Sequence, residues 1–306
     1  MSGVMVRADA ESLLLDYLSG VLVNYNVFDH QFNDIFETRE SNQATEFLSE
    51  FAGLREAEEK PEAAPAFQSA GGQRFETRAV NLTYAIYFTM SLELIDDNLY
   101  TSEWPRDSAM LRASLDQSKN KNAMFLFNNA FNARSTLADG QPMCSLNHPL
   151  DQGTNANTFN TGFQMNEAAL EDMITMIRSW ESPSNLKIDI NPKFLLVPIK
   201  LEFQASRLLN SKFQAETGNN AINAIQYNNF LPGGYRTNNF LAYDNRYFMT
   251  TDQPQGFIHF RKQKLKIGYD TDIVSNTMNG RAFERYSFIC WTYRAVVGSG
   301  TGITTL

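Results

Sequence analysis

Cysteine is scarce in this 306-residue chain, which carries only Cys144 and Cys290. Two cysteines without a C-x-x-C pair cannot build a disulfide framework, so a reducing compartment is expected, with both thiols serving as small core residues. Histidine is nearly as rare. His30, His148 and His259 have no paired spacing, whereas a closed zinc site needs about four ligands, so no metal and no cofactor is expected. Cations are outnumbered, 26 Lys and Arg against 34 Asp and Glu, for a net charge of -8. Such a surface repels a phosphate backbone and argues against sequence-specific binding of nucleic acid. Long apolar runs are missing too. The start, MSGVMVRADAESLLLDYLSGVLVNY, is interrupted by Arg7 and several acids, so neither a signal peptide nor a membrane span is read, and the chain is expected to be soluble and cytoplasmic.

Catalytic signatures are absent as well. No G-x-x-x-x-G-K-[ST], G-x-G-x-x-G or G-x-S-x-G occurs. Asp96 and Asp97 are adjacent and do not face one another on a helix, and the acidic run Glu56 to Glu59 lies in a loop. Asn81-Leu82-Thr83 matches a glycosylation acceptor, which a cytosolic chain never presents to the enzyme. One stretch does look chemical. HPLDQGTNAN, His148 to Asn157, follows Cys144 by four residues, and a thiol nucleophile could take His148 as its base. Nothing nearby in sequence lowers the thiol's pKa, so a structural Cys and His is the favoured reading.

What is there is a folded chain, 43% hydrophobic and 20% charged, well clear of the composition of disorder. Residues 4–23 carry Leu14, Leu15, Leu18 and Leu22 on one helical side, an arm whose stripe needs a partner surface. Ala44, Phe47, Leu48 and Phe51 have helical spacing and on pattern alone predict a short helix. Arg55 to Gly72 is rich in Glu, Ala, Pro and Gly and predicts an exposed, mobile loop. After it the period becomes two. Val80, Leu82, Tyr84, Ile86, Phe88 and Met90 alternate along one strand from Phe75 to Met90, which at about 3.3 Å per residue would reach roughly 50 Å and need cover from another molecule.

From residue 91 the pattern is helical, with a break or kink expected at Trp104-Pro105 and a long run to about Phe131. Asn166 should cap a helix whose face is Leu170, Met173, Ile174 and Ile177. KIDINPKFLLVPI predicts a strand, and Pro198 opens a helix with Leu201, Ala205, Leu208 and Leu209 on its apolar side. LPGGY supplies a tight turn. Strands are expected near Phe257 to Ile267 and Phe283 to Val297, the first including RKQKLK (Arg261 to Lys266) as a solvated strand face. Asparagine-rich stretches such as NNAINAI and RTNNFLAYDN suit long ordered loops.

Taken in order, GQPMCSLNHPLDQGTNAN, INPKFLLVPIKLEFQASRLLNS, NNAINAI and LPGGYRTNNFLAYDNRYFMTTDQPQGF resemble the major capsid proteins of tailed bacteriophages, in particular the Mu-like major head subunit type, over residues 30 to 295. The resemblance implies an α+β fold with an N-terminal arm (1–40), an extended β-hairpin loop (41–90), a long spine helix opening the peripheral domain (91–139), a largely axial domain (140–255) and return strands with a tail (256–306). It implies a strand at 44–51 where the pattern alone gives a helix, and the strand is preferred because the long strand after it needs a partner. The implied function is structural: hexamers and pentamers of the chain forming an icosahedral shell around double-stranded DNA. Implied partners are scaffolding, portal and possible decoration proteins. No segment resembles an internal scaffolding domain, which implies a separate scaffold or a trimmed chain. Encapsulin-like compartments share the fold and form the alternative, with an enzyme at the Cys144 and His148 loop as the rival of another class. Leu14, Leu15, Leu18, Leu22, Lys60, Val80, Leu82 and Tyr84 are the candidate inter-subunit contacts. Some relatives of this fold join a lysine of the extended loop to a neighbour's asparagine. Lys60, the only lysine among the first 118 residues, has the position for that, but Glu58, Glu59 and Glu62 beside it make a solvated ion the favoured reading.

Overall fold

The computed structural model describes residues 30–57, 59–60, 62–63, 65, 68, 71–91, 100–213, 222–272 and 276–300. The expected N-terminal helix with Leu14, Leu15, Leu18 and Leu22 lies outside them, as do residues 92–99. The chain is α+β, built on two four-stranded sheets.

The first sheet takes the order β1-β10-β11-β4, from β1 (Glu37–Glu40), β10 (Phe257–Asp272), β11 (Thr277–Cys290) and β4 (Leu82–Ser91). β1 runs parallel to β10 and the other pairs are antiparallel. Helix α1 (Tyr100–Asn128) lies along one face. Leu115 packs there on Ala282 with Ile86, Leu265 and Ile267 around it, and farther along Met124 and Phe127 enter a core with Phe36, Phe257 and Phe248. Of the break or kink expected at Trp104-Pro105, the break does not occur: the helix is continuous through Pro105. Pro105 stands in the second turn, where its missing N–H forfeits one bond near an end that is already short of partners.

The second sheet has the order β12-β9-β7-β8, from β12 (Val296–Gly300), β9 (Arg246–Thr251), β7 (Pro192–Val197) and β8 (Tyr235–Thr237). α2 (Glu167–Ser179) and α3 (Glu202–Asn210) complete its core, in which Leu170, Met173, Ile177, Leu195, Val197, Ala205 and Met249 are buried. The local signals act as their chemistry requires. Asn166 Oδ1 accepts from the Ala169 N–H at 2.7 Å and caps α2. In the LPGGY turn a Cβ on Gly233 would fall 2.8 Å from the Lys193 carbonyl oxygen, and Gly234 has φ +64°, so both positions need glycine.

A hairpin of β2 (Thr45–Phe51) and β3 (Gln73–Val80) lies over the first sheet. Strand, not helix, is the outcome at 45–51, because Leu48 is drawn onto Ala79, Ile258, Phe260 and Ile289. The single strand expected from Phe75 to Met90 is corrected. It divides at Asn81 into β3, paired with β2, and β4, paired with β11. Asn81 is buried; its amide donates to Ser41 Oγ at 2.8 Å and the Gln43 carbonyl at 3.0 Å, and its Oδ1 accepts from Ser287 Oγ at 3.0 Å. Its backbone N–H turns to the Ala44 carbonyl, 3.0 Å away. The polar residue is fully used at the point where the chain changes partners, while the alternation on either side continues.

Candidate functional site

The loop that raised the question of chemistry is a small hairpin, β5 (His148–Pro149) against β6 (Thr154–Asn155), turned at Gly153 with φ +89°. His148 is fully buried beneath it. Its Nδ1 is 2.6 Å from Asp139 Oδ2, its Nε2 is 3.1 Å from Asn157 Oδ1, and its ring stacks on Tyr293 with centroids 4.1 Å apart. Asn157 fixes the protonation pattern. Its amide nitrogen donates to the carbonyls of Met143, Tyr293 and Val296, so its oxygen must accept, from the Ser145 N–H at 2.7 Å and from His148. Nε2 therefore carries a hydrogen, and Nδ1 faces a carboxylate. Both ring nitrogens are engaged, by Asp139 and Asn157, and neither of these partners is Cys144.

Cys144 is occupied elsewhere. It is buried in the core of Phe131, Met143 and Phe248, against Gly298, whose missing side chain makes room for the sulfur. Burial pushes its thiol well above the usual range, and burial does the same to Cys290. A thiolate nucleophile paired with an imidazole base is thus not what the structure builds. The loop is architecture: Asn155 donates to Tyr293 Oη and the Glu181 carbonyl, and Trp180 Nε1 to the Ala156 carbonyl, joining the loop to the end of α2 and to the turn between β11 and β12. Among the described residues no group of three or more His, Cys, Asp or Glu is placed to hold a metal ion. No described helix is long and apolar enough to cross a membrane.

Sequence reasoning missed a second buried polar cluster, between α1 and the first sheet. Lys119 Nζ meets Glu284 Oε2 at 2.9 Å and lies over the Tyr286 ring. Asn122 donates to Tyr286 Oη at 2.9 Å, and His259 stacks on Phe288 with its Nδ1 3.2 Å from Thr38 Oγ1. Burial, then the charges of Lys119 and Arg261, lower the His259 pKa to about 3, so its ring is neutral. These groups rivet the helix to the sheet, and no local pattern announces partners 165 residues apart.

The remaining notable features are on the surface. Val80 and Leu82 flank Asn81, and Leu82 is 55% exposed; with Phe125 and Leu126 they line a groove of about 450 Å3. Tyr84 is half-buried and stacked on Tyr286 of its own chain at 4.5 Å. Phe47, Phe51 and Leu54 stand outward on the hairpin, and Lys60 beyond it is exposed. At the other end Phe203 and Tyr227 are each 75% exposed. Large apolar groups in water at several places, beside a loop with no free catalytic group, are the marks of a protein that meets copies or partners.

A family model described as phage capsid protein matches residues 76–299, well over half of the chain. The chain belongs to the phage capsid protein family. It is a structural major capsid protein, and the family's shell-forming members are not enzymes. Solved structures share the capsid fold at low identity. A chain from Mycobacterium phage Adephagia is 15% identical, with a TM-score of 0.54, over 99% of this chain and 98% of that one. The capsid of a native GTA particle is 11% identical, with a TM-score of 0.58, over 90% and 92%. A virus-like particle from Pyrococcus furiosus is 7% identical, with a TM-score of 0.51, over 95% and 99%. No curated protein matches the sequence.

Proposed function

We propose that this capsid protein assembles, from hexamers and pentamers of one chain, into the icosahedral head shell that encloses packaged double-stranded DNA. The observation that carries the reading is the family match over residues 76–299. The capsid fold beneath it, with apolar side chains left in water on the hairpin and at the far end of the second sheet, supports the same reading. Residues 1–40 act as the arm, 41–90 contain the extended loop, 91–139 the spine helix, 140–255 most of the axial domain, and 256–306 the return strands and tail. The β2 and β3 hairpin, the 29-residue helix α1 and the second sheet support that division. β12 joins the second sheet through β9, so the last residues tie the two parts together.

Heterologous contacts that close on five or six copies build such a shell from one sequence. The net charge of -8 fits a wall that encloses DNA without gripping it. Assembly takes place in the host cytoplasm, where buried free thiols stay reduced, with scaffolding and portal proteins as partners and decoration proteins as further ones. Electron microscopy of the purified protein in negative stain tests the reading. Shells, tubes or rings are expected, and particles from infected cells should hold nuclease-protected DNA. A chain that stays monomeric at all concentrations, or particles that hold protein cargo and no nucleic acid, would overturn it.

A further inference from the structure

On the face of the first sheet that looks away from α1, charges of both signs stand in order along the strands. Side chains of paired residues share a face, and residues two apart on a strand share it again. Ile267, Ala282 and Ile86 pack on the helix side with Leu115, so their neighbours in sequence point the other way. Along β10 the outward residues are Lys266, Gly268, Asp270 and Asp272, running from the body of the sheet to its far end. On β11, Arg281 stands beside Gly268 and Asn279 beside Asp270, and Tyr87 of β4 completes the Arg281 row. Cations therefore occupy one half of this face and carboxylates the other. Lys266, Arg281, Asp270 and Asp272 are exposed, and Tyr87 is 74% exposed. Arg281 leans over the Phe283 ring, 5.4 Å from its centroid, and among the described residues neither it nor Asp270 has an ion-pair partner. Arg285, the next cation toward the body, is turned to the Asn81 carbonyl at 3.3 Å.

Such a face complements itself. A half-turn about an axis that crosses the strands, midway between the Arg281 and Asp270 rows, lays one copy on another and reverses the order of the rows. Lys266 then lies across from Asp272 of the other copy, and the Arg281 row lies across from the Asp270 row. Gly268 lets the second pair close. It has no side chain, a Cβ there would stand 3.6 Å from Arg281 Nε, and the cleft it leaves, of about 540 Å3, is bordered by Arg281, Tyr87 and Asp270. Asp270 of the other copy enters above Gly268 and meets Arg281 beside it. The half-turn makes every contact twice, and it brings the exposed Tyr87 rings of both copies into the same interface. A half-turn about an axis along the strands would set carboxylate over carboxylate instead, so charge selects one orientation.

We propose that this face joins two copies of the chain across a two-fold axis, with Lys266 and Arg281 of each on Asp272 and Asp270 of the other. The contact rests on the shell-forming function proposed above and names the surface by which one ring holds the next. Head-to-tail contacts close rings, whereas a two-fold axis between neighbouring rings calls for an isologous contact, the same patch on both sides. The charged rows span roughly 14 Å by 26 Å. That is about 400 Å2 per copy and about 800 Å2 in all, short of the roughly 1,200 Å2 of a stable pair. Free subunits are therefore not held as dimers, and the contact counts where rings present several at once. Exposed ion pairs are weak and screened by salt, so added salt should weaken the joining of rings.

Charge reversal on the full chain tests it. K266D/R281D makes these rows wholly acidic and D270K/D272K makes them wholly basic. Each should form rings but few or no shells under salt conditions where the wild type makes shells. The chain with all four substitutions exchanges its signs end for end, complements itself again and should regain shells. An equimolar mixture of the two half variants should associate ring to ring where neither does so alone, because an acidic face then meets a basic one. Gly268→Leu is the uncharged probe: its Cβ meets nothing closer than Arg281 Nε at 3.6 Å in its own chain, and it should block shells by filling the cleft. Circular dichroism and thermal melting of the subunits, unchanged in every variant, separate assembly from folding. Half variants or Gly268→Leu that fold and make shells as the wild type does would leave the face to another partner and overturn the contact alone. So would a four-substitution chain that folds and stops at rings. Half variants that fold and form no rings would place the face inside the ring and overturn its two-fold role. A wild type that forms no particle overturns the shell function and the contact together.

Discussion

Lys119 of α1 and Glu284 of β11 meet at 2.9 Å with only 11% and 7% of their side chains exposed. Two long charged groups so deeply covered are a costly way to attach a helix, and their value lies in fixing its register on the sheet. Removing one partner leaves the other charge buried and alone. Lys119→Met or Glu284→Gln should therefore lower the stability of the isolated subunit by about 3–5 kcal/mol, read from urea denaturation. The double variant Lys119→Met/Glu284→Leu should cost less than either single change, and a double variant as unstable as the sum of the singles would show that the pair contributes more than register.

The His148 and Asn157 network predicts a second pattern. Asn157→Ala takes a donor from three carbonyls and removes the acceptor of the Ser145 N–H and of His148 Nε2, so a loss of about 3 kcal/mol or more is expected, each buried group left without a partner costing roughly 1–3 kcal/mol. Thermal unfolding of the subunit measures it. Cys144 and Cys290 should stay unreactive toward a thiol-specific reagent in the native protein at neutral pH, because burial raises both thiols and suppresses the thiolate. Both should react on unfolding, and fast modification of Cys144 in the folded chain would contradict the packing described.

His259 gives the pH dependence its sign. Its folded pKa is lowered from 6.5 to about 3, mainly by burial. Between those values the unfolded chain binds a proton that the folded chain refuses, so stability is fully present above about pH 6.5 and falls as pH drops toward 3. His30, also lowered by burial, adds in the same direction. Denaturant titration of dissociated subunits between pH 7 and pH 4 should show this slope, and His259→Phe should reduce it without abolishing it. An unchanged slope in the variant would place the effect elsewhere.

How much of this was legible in the sequence depended on how local each cause was. Asn166 with the face of α2 and the glycines of LPGGY declare themselves within a few residues and formed as read, and the strand read over KIDINPKFLLVPI formed only at Pro192–Val197. The division at Asn81 did not show, because the two-residue period continues through it and only Ser41, Gln43, Ser287 and Arg285, distant in sequence, make it a junction. Phe47 and Leu48 had helical spacing with Ala44 and Phe51, but Leu48 turns to Ala79 and Ile258 while Phe47 and Phe51 face water, a strand's alternation set by tertiary contact. Cys144 and His148 suggested chemistry through nearness in sequence, and the fold gives each a different set of partners.

The loop from Arg55 to Gly72 is expected to be cut readily by protease in the free subunit and protected in the shell. Its described residues are exposed, and the strands on either side close at the Ala52 N–H to Gly72 carbonyl bond of 2.8 Å. A segment without its own core gains order only from a neighbour. Equal cleavage in subunit and particle would count against a contact there. Deletion of residues 1–25, which removes Leu14, Leu15, Leu18 and Leu22, should impair assembly more than subunit folding, and normal shells from that truncated chain would remove the arm from the assembly interface.

Lys60 decides whether the shell is locked covalently. An amine attacks a neighbour's amide only as the free base, a form favoured by burial in apolar surroundings and opposed by nearby carboxylates. Lys60 is exposed, and so are Glu59 and Glu62 beside it. Position alone, past the end of the β2 and β3 hairpin, would bring it to another copy; no described residue of its own chain buries the amine, so an ion pair and not a bond is expected there. Mature particles boiled in denaturant should therefore run as a single band near 34.7 kDa, and Lys60→Ala should leave that pattern unchanged. A ladder of multimers in the wild type that Lys60→Ala abolishes would mean that a neighbour buries this lysine far more completely than the isolated chain does.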